Sequence, residues 1–85
     1  MSQTPTTAER VRALIAEHLC VAPEQVTDDA VLTTDLNADS LDVIEVTMAI
    51  EEDFDIEIRD DEMNKAETVG CAIQLVERKL VARAA

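Results

Sequence analysis

Residues 36–44 read LNADSLDVI, one hydroxyl set between two carboxylates at the start of a helical apolar periodicity. Asp39 suits an N-cap, because its side chain can accept from the orphan N–H groups of a first helical turn. Asp42, three residues on, places a second carboxylate at the positive end of the helix dipole. A helix is therefore expected over about Ser40–Phe54. At ~100° per residue, Val43, Val46, Ile50 and Phe54 share one face and form its core stripe. Leu41, Ile44 and Met48 fall on a different side, beside Glu45 and Glu52. Three apolar groups are too many for an ordinary solvent face. Either a second element covers them or they form a small exposed patch ringed by acids, and the patch is the favoured reading.

The same logic extends in both directions. Thr6 and Glu9 fit a capping box, and Val11, Leu14, Ile15 and Leu19 recur at helical spacing until the chain reaches Cys20 and Pro23. His18 reads as a flank residue of that helix rather than a ligand or base. Residues 21–39 have no period. Their turn residues alternate with Val26, Val31, Leu32 and Leu36, four anchors able to pin a long connection over the core, with a short turn at Pro23–Val26. After Phe54, DIEIR alternates like a strand but has no partner strand, so it reads as an extended link with Ile56 and Ile58 inward. Asp60–Ala66 makes a short third helix with Met63 toward the core. Thr68 caps a fourth, striped by Val69, Ala72, Ile73, Val76 and Leu80, with Arg78, Lys79 and Arg83 suiting its C-terminal dipole. The expected fold is all-α: a four-helix bundle of three longer helices and one short third helix, with a long loop between the first two. It spans 1–85 as a single domain, with 1–5 a flexible N-terminus and 82–85 a frayed C-terminus.

Composition agrees. With 85 residues, one glycine and Phe54 as the only aromatic, a β-sandwich or barrel is disfavoured. A chain this short buries only about 60–65% of its unfolded surface. The net charge is −12, and it is concentrated: Asp35 to Glu62 holds twelve acids and a single base, Arg59. Such a field repels nucleic acid and anionic membranes and steers basic protein surfaces inward. Charge alone leaves a merely solvating surface and a partner-docking surface equally open. MSQTPTTAERV carries no apolar run of a signal peptide, and no membrane-spanning stretch follows, so a cytoplasmic protein without membrane insertion is expected. Cys20 and Cys71 make no CxxC pair and no zinc set with the lone His18, and read as reduced thiols, packed or half-exposed.

Three readings compete at Ser40. Asp35-Leu36-Asn37-Ala38-Asp39 opens like a calcium loop, but Ser40 stands where the turn needs glycine, and the twelfth position is Val46 rather than a bidentate Glu. No metal site is expected. A nucleophilic serine needs a base and an oxyanion hole; here flanking carboxylates disfavour an oxyanion, and the one histidine lies on another helix. No catalytic residue, and no enzyme, is expected. A plain cap, by Asp39 or Ser40, survives both tests. It leaves unexplained why a long loop delivers this serine beside an apolar patch and a wall of acids.

The run DLNADSLDVIEVTMAIEEDFDIEI resembles the core of acyl carrier proteins, whose signature is Asp-Ser-Leu at the start of the second helix. ERV in the first helix, VTDDAVLTTDL in the loop and ETV before the last helix extend the likeness to nearly the whole chain. The resemblance, closest to free-standing carriers of type II fatty acid synthases, implies that Ser40 is an acceptor. A phosphopantetheinyl transferase would attach 4′-phosphopantetheine from coenzyme A to its hydroxyl. Acyl chains would ride on the arm as thioesters and slip between the helices into the apolar interior. It further implies a docking face of Asp39, Leu41, Asp42, Ile44, Glu45, Met48 and Glu52 for basic surfaces of ketosynthase, acyltransferase, reductase and dehydratase partners, with the carrier itself a monomer.

Two positions depart from the family's pattern. Asn37 stands where glycine is usual, and Asn tolerates the left-handed conformation better than other side chains. Arg59 replaces a frequent proline, leaving the start of the third helix less fixed. Rival readings are a specialised acyl or polyketide carrier, an aminoacyl carrier (these usually show Gly-Gly-x-Ser, against Asn-Ala-Asp-Ser here) and an unmodified acidic adaptor.

Overall fold

The computed structural model describes residues 6–84; the expected flexible segment 1–5 lies outside them. Four helices follow in order: α1 (Thr7–Leu19), α2 (Ser40–Phe54), the short α3 (Asp60–Lys65) and α4 (Val69–Ala84), with a 3-10 turn at Pro23–Gln25. Each start is explained by local chemistry. At α1 the Glu9 N–H donates to Thr6 Oγ1 (3.1 Å) while the Thr6 N–H donates to Glu9 Oε1 (2.9 Å). At α4 the Cys71 N–H donates to Thr68 Oγ1 at 3.1 Å. Both relieve orphan donors of a first turn.

α1 packs against both α2 and α4. Val11, Ile15, Val46, Ile50, Val69 and Val76 are the largest fully buried side chains, one pair from each of the three longer helices. Phe54 closes one end: Arg10 lies over its ring, 4.1 Å from the centroid, and also reaches Asp53 Oδ2 (2.6 Å) and the Asp53 carbonyl (3.0 Å). The guanidinium thus covers an apolar ring and neutralises the negative end of α2 at once.

The 21–39 connection is pinned by Val26, Ala30, Leu32, Leu36 and Ala38, all buried. It is also stitched to the α3–α4 link. Val31 and Thr68 form an isolated antiparallel bridge. Around it the Leu32 N–H donates to the Glu67 carbonyl (3.1 Å), the Val69 N–H to Ala30 (3.0 Å) and the Gly70 N–H to Asp28 (2.9 Å). A Cβ on Gly70 would lie 3.1 Å from the Asp28 carbonyl oxygen, so the close approach uses the missing side chain. Of the four anchors expected, Val26, Leu32 and Leu36 are buried and Val31 is half-buried, while Ala30, Ala38 and the stitches were not foreseen.

Two expectations at the core need correction. Val43, placed on the α2 stripe, is only half-buried, whereas Thr47 is buried at 5% exposure. The reason is α3: at six residues it is too short to cover the whole flank of α2. Arg59 is the second case. Its N–H donates to Glu62 Oε1 at 3.0 Å, and Lys79 Nζ holds the same oxygen at 2.8 Å. The start of α3 is therefore fixed by a carboxylate cap that a proline, having no N–H, would forgo. The link before it behaves as expected: Ile58 is buried, its N–H donating to Glu51 Oε2 (2.9 Å), and Ile56 is half-buried. Cys20 and Cys71 are unpaired and exposed rather than packed.

Candidate functional site

Ser40 is the first residue of α2, delivered there by a turn that its neighbours enforce. The Asp35 N–H donates to the Val31 carbonyl (2.8 Å), and Asp35 Oδ2 accepts from the Val31 N–H (2.8 Å). Asn37 then takes φ 58°, the left-handed region, and the Ala38 N–H closes on the Leu32 carbonyl at 2.8 Å. Leu36 and Ala38, on either side of Asn37, are buried. The next two residues are exposed, so the chain rises out of the core just as the helix begins.

The cap belongs to Asp39. The Asp42 N–H donates to Asp39 Oδ1 (2.8 Å) and the Asp39 N–H to Asp42 Oδ2 (3.2 Å). Carboxylates fill both halves of this capping box, so the Ser40 hydroxyl takes no part in it. The competition between Asp39 and Ser40 for the cap is thereby settled, and an exposed hydroxyl is left at the positive end of a 15-residue helix.

Two clefts open beside it. The first, of about 260 Å³, lies between Ser40, Val43, Ile44 and Thr47 of α2 and Asp60, Met63 and Asn64 of α3, with Thr33 at its edge. The second, of about 350 Å³, shares Thr33, Val43, Met63 and Asn64 and continues to Val31, Leu32 and Ala66. Together they make a trough that starts at Ser40 and mixes apolar with polar groups along its length, Thr34 and Glu67 included. The Lys79–Glu62 ion pair ties its α3 wall to α4. That hydrogen bond, with the Arg59 N–H second, holds the Glu62 carboxyl below the ordinary carboxylate value.

The outer face of α2 carries Leu41, Ile44 and Met48 at 62%, 46% and 56% exposure. Among the described residues no second element covers them. Asp39, Glu45 and Glu52 are exposed around them and Asp42 is half-buried. Glu45, Met48 and Glu52 also line a separate cleft with Ala49 and His18, so the flank residue of α1 borders this face. Val81 on α4, the other large apolar residue this exposed among the described residues, was not foreseen. Also among them, no helix is long and apolar enough to cross a membrane.

A serine freed of capping duty fits an attachment point for a phosphodiester-linked group, because it combines access, a helix N-terminus and a neighbouring trough. Comparison with known proteins speaks to the chain as a whole. The family described as Phosphopantetheine attachment site matches residues 9–76. An acyl carrier protein of Phenylobacterium zucineum (strain HLK1) is 50% identical over 72 residues, covering 85% of this chain and 91% of that one. One from Caulobacter vibrioides (strain NA1000 / CB15N) is 51% identical over 71 residues, 84% and 91% of the two chains. The solved structure of a thermally stable acyl carrier protein from Enterococcus faecalis superposes with a TM-score of 0.73 at 36% identity, over 86% of this chain and 92% of that one. The chain belongs to the acyl carrier proteins, non-enzymatic carriers built around a phosphopantetheine attachment site.

Proposed function

We propose that Ser40 is the attachment residue and that the protein carries acyl intermediates of fatty acid biosynthesis in the cytoplasm, acting as a monomer. The observation that carries the assignment is the division of labour at the start of α2: Asp39 and Asp42 cap the helix, and the adjacent serine hydroxyl stays exposed and uncommitted. In the attachment step, Ser40 Oγ bonds to the phosphorus next to the pantetheine unit of coenzyme A. The pyrophosphate bond breaks, adenosine 3′,5′-bisphosphate leaves, and a base of the transferase takes the serine proton. Once attached, the arm supplies a terminal thiol on which acyl groups ride as thioesters.

The chain's own residues do the rest. The helix N-terminus offsets the phosphodiester charge beside Asp39 and Asp42. The trough between α2 and α3 shelters the acyl chain, each buried CH₂ gaining about 0.8 kcal/mol. Leu41, Ile44 and Met48 provide contact area for the transferase, ketosynthase, acyltransferase, reductase and dehydratase, while Asp39, Asp42, Glu45 and Glu52 orient basic surfaces and speed encounter. Support for the fatty acid pathway is the match to acyl carrier proteins over 91% of their length. Intact mass after incubation with coenzyme A and a broad-specificity transferase tests the proposal: one adduct is expected, and none in Ser40→Ala.

A further inference from the structure

Thr47 is the one buried polar side chain among the described residues, at 5% exposure, and it lines the cleft that opens at Ser40. Its hydroxyl donates to the Val43 carbonyl one turn back at 2.7 Å. The single hydroxyl proton is thereby spent, and what Thr47 still offers is acceptor capacity on its oxygen. The surrounding walls are not uniformly greasy either: Thr33, Asp60 and Asn64 add oxygen and amide groups to the same cleft, and Val43 and Met63 are shared with the neighbouring one.

A saturated acyl chain packed against this wall would offer no hydrogen bond to the threonine oxygen. A chain bearing a hydroxyl near its thioester would donate its own O–H to it. A hydrogen bond donated to this spare acceptor is a net gain that the saturated chain lacks, so the two cargoes are not equivalent at this site. We infer that Thr47 is a specificity-determining residue, biasing the cleft toward acyl thioesters that carry a hydrogen-bond donor close to the carbonyl, such as 3-hydroxyacyl groups, over saturated chains of the same length. The inference rests on Ser40 being the tether.

The test compares hexanoyl with 3-hydroxyhexanoyl, each loaded from its coenzyme A thioester and verified by intact mass. The readout is the rate of thioester cleavage by hydroxylamine, whose nitrogen attacks the carbonyl, breaks the C–S bond and releases a hydroxamic acid and the arm thiol. Each rate is divided by that of the same acyl group on free pantetheine, which removes intrinsic reactivity. The wild-type protein is expected to protect the 3-hydroxyacyl group on the order of tenfold better than the saturated one, the size of one matched hydrogen bond. Thr47→Val should abolish that ratio, and Thr47→Ser, which keeps the hydroxyl, should retain it. Equal protection of the two cargoes in the wild type overturns the inference, as does an unchanged ratio in a folded Thr47→Val; if that variant does not fold, the wild-type comparison decides. Absence of any loaded mass overturns the Ser40 assignment and this role with it, whereas loaded protein with equal protection overturns only the role of Thr47.

Discussion

Asp39 and Asp42 cap each other's backbone across the first turn of α2, with N–H to carboxylate distances of 2.8 and 3.2 Å. The first residue of the helix, Ser40, is thereby released from capping. Asp39→Ala should cost about 1 kcal/mol, the usual loss of an N-cap, or roughly 4–8 °C in Tm for a domain of this size. Ser40→Ala should shift Tm little, because surface changes away from a cap stay within about 0.5 kcal/mol. Thermal denaturation of both variants checks the pair; equal losses would return the cap to Ser40.

Asn37 holds φ 58° immediately before this turn. Asn bears that conformation better than other side chains with a Cβ, so Asn37→Ala is expected to lose about 1 kcal/mol in urea denaturation while Asn37→Gly stays within a few tenths. A neutral Asn37→Ala would mean that the left-handed turn is not what delivers Ser40.

Glu62 accepts from Lys79 and from the Arg59 backbone, and its carboxyl is held below the ordinary value, mainly by Lys79. A depressed folded pKa contributes stability that is present above the unfolded value and lost as pH falls through the folded one. Wild type should therefore exceed Glu62→Gln in stability at neutral pH. The gap should close as pH drops below the ordinary carboxylate range. Comparing the two proteins at each pH cancels the relief of self-repulsion that acid brings to a chain of net charge −12. A gap independent of pH would contradict the pairing.

Met48→Arg and Glu45→Lys place positive charge on the exposed face of α2 and should lower kcat/KM of a ketosynthase or transferase acting on the carrier on the order of tenfold, through encounter and register. Stability should hold within about 0.5 kcal/mol, since both residues are exposed. Unchanged turnover would remove this face from docking.

The parts legible in sequence are those governed by local chemistry or by periodicity. Thr6 with Glu9, Asp39 with Asp42, and Thr68 each mark a helix start by side-chain type and spacing, and all three form as expected. That Leu41, Ile44 and Met48 share a side of α2 away from its core stripe also follows from period, and the structure shows that side exposed. What escaped depends on contacts between distant segments. A single bridge between Val31 and Thr68 leaves no repeating pattern, and the half-burial of Val43 depends on how short α3 turns out to be. Nothing along the chain announces that Thr47, one turn from Val43, is buried with its hydroxyl satisfied, because a lone threonine among aliphatic residues reads as filler. Glu62 was visible as part of an acidic run, but its service to Arg59 and Lys79 needs α3 and α4 side by side.

The most direct measurement is the position of the modification. After incubation with coenzyme A and a phosphopantetheinyl transferase, proteolysis and tandem mass spectrometry of the full chain should place a single phosphopantetheine on Ser40. An adduct on another hydroxyl of the same region, such as Thr33, Thr34 or Thr47, or no adduct where a control carrier is modified, would contradict the assignment.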